Sequence, residues 1–135
     1  MAHDQHNEPA VLIVEDDDAM ANLMRRTLER DGWSVRRAAN GKTAKELIGR
    51  VAPPFLVTLD ISLPDMSGRD LILHVKSTPG WERMPIVIVT GKPKENGSSS
   101  WAVKSGTKAY LAKPFTPEEL RDCVRRAARE PVPSP

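Results

Sequence analysis

The sequence predicts an α/β fold: a doubly wound, five-stranded parallel sheet with five helices on its two faces. Three continuous apolar runs carry the first part of that reading: AVLIV (Ala10–Val14), FLVTL (Phe55–Leu59) and PIVIVT (Pro85–Thr90). Strands apolar on both faces belong in a sheet covered on both sides. Segments with helical periodicity separate these runs, and a polar residue able to meet phosphate or metal stands at the end of each. WSVRRA (Trp33–Ala38) and AYLA (Ala109–Ala112) complete the five strands.

The helices follow from their stripes and stops. Met20, Leu23, Met24, Thr27 and Leu28 form the stripe of a first helix, closed at Asp31-Gly32. Ala44, Leu47, Ile48 and Val51 mark a second, which must end before Pro53-Pro54. Leu71, Ile72 and Val75 mark a third, stopped by Thr78-Pro79-Gly80. NGSSSWAVKS (Asn96–Ser105) holds poor helix formers, so a fourth helix there is expected to be short or mobile. The last helix has the fullest signature: Thr116 as cap, Pro117 in the first turn, Glu119 completing a capping box, and Leu120, Cys123, Val124 and Ala127 facing inward.

At 135 residues the chain suits one domain with a core of ordinary size. That domain is expected over 10–130, between a polar tail at 1–9 and the Pro-rich tail PVPSP at 131–135. The net charge of +2 is too small to point to nucleic acid or a lipid surface. Cys123 is the single cysteine, which excludes an intrachain disulfide and suits a reducing cytoplasm. The first nine residues have no signal-peptide core, and no apolar run is long enough to span a bilayer, so a cytoplasmic protein is expected. His3, His6 and His74 lack metal-ligand spacing on one element. Trp33, Trp81 and Trp101 do not interleave with a basic stripe, so a stacking platform for nucleic acid is not expected either.

Ligands of open parallel α/β sheets sit beyond the carboxyl ends of the strands. The first strand ends in Glu15-Asp16-Asp17, the third in Asp60, the fourth in Thr90 and the fifth in Lys113. Carboxylates gathered on one rim repel each other, and a hard cation such as Mg²⁺ relieves that repulsion when phosphate oxygens complete its shell. Each residue also has a plainer reading. The acidic run can be a solvated helix N-terminus, Asp60 a turn cap, Thr90 a buried β-branched residue and Lys113 a surface lysine. The plain readings require all four to fall at strand ends by coincidence.

These blocks, VLIVEDD, LDISLPDMSG, IVIVTG and AYLAKPF, occur in an order that resembles the receiver domain of two-component response regulators over roughly residues 10–130. The resemblance implies the flavodoxin-like five-stranded type, with strand order 2-1-3-4-5. It implies Asp60 as acceptor of a phosphoryl group from a phosphohistidine of a sensor histidine kinase or histidine phosphotransfer protein. It further implies Mg²⁺ held by Asp16, Asp60 and the backbone carbonyl of Ser62, with Glu15 acting mainly through water. Lys113 and Thr90 would bond the new phosphoryl oxygens, and Tyr110 would follow Thr90 inward as the aromatic switch. A cis bond between Lys113 and Pro114 is expected as well. Activation would then be read by a downstream protein on the fourth helix, fifth strand and fifth helix.

Two positions tune such sites in this family, and here they are Ser62 and Lys92. Lys92, Lys94, Lys104 and Lys108, with the arginines of the last helix, would make the output face basic, in keeping with an acidic partner or simply with a solvated face. With no DNA-binding segment after the last helix, the expectation is output by protein contact from a monomer or weak homodimer, or else that the chain is one domain of a longer protein cut at its Pro-rich tail. The leading expectation is thus a stand-alone phosphoacceptor, not a turnover enzyme. A phosphate-independent scaffold and a Mg²⁺-dependent aspartyl-phosphate phosphatase are the alternatives. The latter usually has a second acid two residues after its nucleophile, where this chain has Ser62.

Overall fold

The computed structural model describes residues 10–91 and 109–129. Its elements are β1 (Ala10–Val14), α1 (Asp18–Arg30), β2 (Ser34–Ala38), α2 (Gly41–Leu47), β3 (Leu56–Asp60), α3 (Gly68–Ser77), β4 (Ile86–Thr90), β5 (Ala109–Ala112) and α4 (Pro117–Arg129). The predicted fourth helix and Lys92 lie outside the described residues, so the helix labelled α4 is the one predicted as the fifth. All strands are parallel, in the order β2-β1-β3-β4-β5.

Alternate residues of each central strand enter different cores, which is why these strands read as unbroken apolar runs. Leu12, Val14, Val57, Leu59, Ile86 and Ile88 pack with Leu71, Ile72 and Trp81 on the α2–α3 side. Val11, Ile13, Leu56, Val87 and Val89 pack with Met24, Leu28, Leu120 and Val124 on the α1–α4 side. Trp81 is therefore a core residue, 1% exposed. The edge strand β2 has the mixed pattern expected of partial cover, with Ser34 and Arg36 exposed.

Several boundaries differ from expectation. Phe55 lies outside β3 and is 56% exposed, its ring edge-on to Trp33 with centroids 6.2 Å apart. In α1 the buried stripe is Ala21, Met24 and Leu28, whereas Leu23 is exposed, so the helix is rotated slightly from the predicted face. Helix α2 stops at Leu47 and not after Val51, because Gly49 takes φ +93° and Arg50 and Val51 turn back onto the Leu47 carbonyl. Helix α4 begins as predicted: Thr116 N–H donates to Glu119 Oε1 at 2.8 Å and Glu119 N–H to Thr116 Oγ at 3.1 Å. An Arg125–Asp31 ion pair, in which Arg125 Nε donates to Asp31 Oδ2 at 2.8 Å, ties α4 to the end of α1.

Candidate functional site

The order of the sheet reverses between β1 and β3, and that switch point is where parallel sheets open a crevice at their carboxyl ends. Glu15 leaves β1 there and Asp60 ends β3 beside it. Asp16 occupies the β1–α1 turn, and Asp17 caps α1 by accepting from Met20 N–H at 2.8 Å. Carboxylate oxygens of Glu15, Asp16 and Asp60 all lie within 4.8 Å of one another. Glu15 is 1% exposed and Asp60 6%, while Asp16 faces outward.

Lys113, at the end of β5, reaches across the sheet to both buried acids. Its ammonium donates to Glu15 Oε1 at 2.9 Å and to Asp60 Oδ2 at 3.3 Å. The approach of the chain at this point is set by Lys113 N–H, which donates to the Thr90 carbonyl at 2.8 Å, and the Lys113–Pro114 bond is cis as expected. Burial pushes the Glu15 carboxyl above its ordinary value, with Asp60 adding repulsion, against the opposing bond from Lys113. For Lys113, burial works to lower the ammonium, but its bond to Glu15 and the attraction of Asp60 prevail and hold it above its ordinary value.

The remaining predicted residues fall at the same rim. Ser62 is exposed, and its N–H donates to Asp60 Oδ1 at 2.9 Å, so Asp60 does also cap the turn that follows it. Thr90 is fully buried at the end of β4. In the β4–β5 register Ile88 lies opposite Tyr110 and Thr90 opposite Ala112, which puts Thr90 and Tyr110 on one face of the sheet. Tyr110 is partly buried against the α2–α3 core.

Three residues that sequence reading did not single out also serve this rim. Asp65, in the loop after Asp60, accepts from Gly41 N–H and Lys42 N–H, both at 2.9 Å, and so holds the first turn of α2. Met66 packs on Gly41 so closely that a side chain there would collide with it. Arg37 of β2 donates to the main-chain carbonyl of Glu15 through Nε at 3.0 Å and Nη2 at 2.8 Å. The partners are 24 and 22 positions apart, beyond any local motif, so only the loop composition of LPDMSG hinted at Asp65 and nothing marked Arg37.

Three converging carboxylates form an all-oxygen donor set that suits a hard divalent cation, and a lysine opposite them supplies a second positive group for an anionic ligand. A rim of this kind, on an α/β domain, can hold a divalent cation and an anionic ligand side by side. Comparison with known proteins places it more closely. Residues 11–125 match the response regulator receiver domain. The chain is 37% identical over 116 residues to a 14.6 kDa protein of Leptolyngbya boryana, covering 86% of this chain and 87% of that one. It is 32% identical to the chemotaxis protein CheY1 of Helicobacter pylori (83% and 90% covered). It is 31% identical to the phosphate regulon transcriptional regulatory protein PhoB of Rhizobium meliloti, of which it spans only 54%. Among solved structures, the CheY-like receiver domain protein of Methanospirillum hungatei superimposes with TM-score 0.80 at 30% identity, covering 90% of this chain and 94% of that one. The chain belongs to the response regulator receiver domain family of two-component signalling.

Proposed function

We propose that this receiver accepts a phosphoryl group on Asp60 from a phosphohistidine of a sensor histidine kinase or histidine phosphotransfer protein, and that the change is read by a downstream protein. One observation carries the reading: Lys113 bonds Glu15 and Asp60 at once, at 2.9 and 3.3 Å, with Asp16 completing the carboxylate set. Asp60 ends in a polar crevice yet is rooted in a strand buried along its length, so any change in its charge acts directly on the core.

In the transfer, an Asp60 carboxylate oxygen forms a bond to phosphorus as the phosphorus–nitrogen bond to the donor imidazole breaks and its electron pair returns to the ring. The carboxylate needs no general base, because it is already the anionic nucleophile. The transition state is loose, so positioning and neutralisation of the phosphoryl oxygens dominate the barrier. Asp16, Asp60 and the Ser62 carbonyl would hold Mg²⁺, with Glu15 acting mainly through water, and the ion would supply that neutralisation. Lys113 binds the product oxygens from the opposite side. Thr90 turns its hydroxyl to the same group, and Tyr110 takes the space vacated. Ser62 and Lys92 tune the lifetime of the acyl phosphate.

The test is intact-protein mass after incubation with Mg²⁺ and a small phosphodonor. A gain of one phosphoryl group that is lost in Asp60→Asn is the expected result. An unmodified wild-type protein would favour a phosphate-independent scaffold, and continuous phosphate release from organic esters would favour a phosphatase.

A further inference from the structure

We infer that Arg37, outside the acid cluster, is a positioning residue that fixes the β1–α1 turn and thereby makes the site selective for a small, rigidly coordinated cation. The inference rests on the reading of Glu15, Asp16 and Asp60 as the metal-facing carboxylates. Parallel pairing sets Arg37 opposite Ile13, two residues short of the turn, and its side chain extends forward over it. Nε and Nη2 both bond the Glu15 carbonyl, at 3.0 and 2.8 Å, and Nη1 bonds Asp18 Oδ1 at 2.8 Å. One guanidinium therefore grips the chain immediately before and shortly after Asp16. Glu15 N–H is held from the same strand, donating to the Ala38 carbonyl at 3.1 Å.

Asp16 is the carboxylate that needs this help. It is exposed, and its side chain has no hydrogen bond or ion pair among the described residues, so the backbone of the turn is what sets the position of its Cβ and hence the reach of its carboxylate. Glu15 and Asp60, by contrast, are buried and tied to Lys113. The two arms of Arg37 differ in weight. The Asp18 side chain is 85% exposed, so that pair is well screened. The bonds to the Glu15 carbonyl come from a charged, planar donor on a side chain only 21% exposed, and they hold main chain, not a mobile side chain.

Simple electrostatics and positioning predict opposite signs. Removing a cation beside a dication site tightens binding if Arg37 acts only by its charge. If it acts by geometry, binding weakens, and unequally: Mg²⁺ demands near-octahedral ligands, whereas Ca²⁺ tolerates varied ones. Titration calorimetry of the whole chain with Mg²⁺ and then Ca²⁺ separates the cases. For Arg37→Gln, Mg²⁺ affinity is expected to fall about tenfold, the usual scale for loss of an outer positioning group, while Ca²⁺ affinity changes by about twofold or less. Arg37→Lys, which keeps the charge without the fork, should lose Mg²⁺ selectivity in the same direction. Asp18→Asn should change little. Unchanged or tighter Mg²⁺ binding in both Arg37 variants, or an equal loss for both ions, would overturn the inference. Failure of the wild-type protein to bind Mg²⁺ would be seen before any variant is compared, and would bring down the underlying reading and this inference together.

Discussion

The Lys113 ammonium lies nearer to Glu15, at 2.9 Å, than to Asp60, at 3.3 Å. Glu15 is the more deeply buried of the two acids, so the stronger bond goes to the carboxylate with less access to water. Asp60, the proposed acceptor, keeps the longer and more easily exchanged contact.

Removal of the lysine should consequently destabilise the metal-free protein. Lys113→Met leaves two buried like charges with no cation between them, a change expected to cost on the order of 2–4 kcal/mol. Saturating Mg²⁺ should recover part of that loss, because the ion supplies the missing positive charge. Urea titrations of wild type and variant, with and without Mg²⁺, check both statements. An equal loss in the two conditions would separate Lys113 from the metal site.

Asp65 gives a dependence on pH with a defined sign. Its carboxyl is held below the ordinary carboxylate range by the N–H groups of Gly41, first, and Lys42. A lowered folded value means that the unfolded chain binds the proton more readily. The stabilisation is therefore present above the ordinary value of 3.8 and is lost as pH falls through the lowered one. Asp65→Asn should be less stable than wild type at neutral pH, and the gap should close in acid. Parallel thermal melts across that range measure it.

Gly68 opens α3 against the residue that follows Asp60. A Cβ there would stand 2.9 Å from the Ile61 Cα and 3.2 Å from its carbonyl oxygen, so backbone has to move. Gly68→Ala is expected to cost roughly 1–3 kcal/mol as overpacking and to slow phosphoryl acceptance by shifting the acceptor loop. Gly49→Ala is the control: strained at φ +93° but far from the loop, it should lower stability and leave acceptance unchanged. Chemical denaturation and the rate of mass gain distinguish the two.

Thr58 sits two residues before Asp60, between Ile13 and Val87, with its buried hydroxyl unpartnered among the described residues. Thr58→Val keeps the shape and removes that hydroxyl. A gain of about 1 kcal/mol is expected, with phosphoryl acceptance unaltered, as urea denaturation and intact mass would show. A loss of stability would mean that the hydroxyl is satisfied in solution.

The parts of this molecule that were legible from sequence are those written in local periodicity. Val11 to Val14 and Ile86 to Val89 are apolar at every position because a helix layer covers each side, and the Thr116–Glu119 box is a short-range signal. The rim acids and Lys113 were legible because strand ends in such a sheet share one side. What escaped was non-local. Leu23 was read inward because a stripe says which residues align but not how far the helix rolls on its neighbours. Val51 was read into α2 because the periodicity continues past a glycine whose positive φ ends the helix first. Nothing in SVRRA marked Arg37, because only the fold sets it over the Glu15 carbonyl.

The grip of Asp65 and Met66 on the start of α2 has a practical use. This helix hangs from the loop after Asp60 by two bonds from its main-chain N–H groups to the Asp65 carboxylate and by a close methionine contact, while Lys45 is exposed. A dye placed at Lys45 would be carried by a rearrangement of that loop, giving an optical readout of the loop's state from a side chain outside the carboxylate cluster.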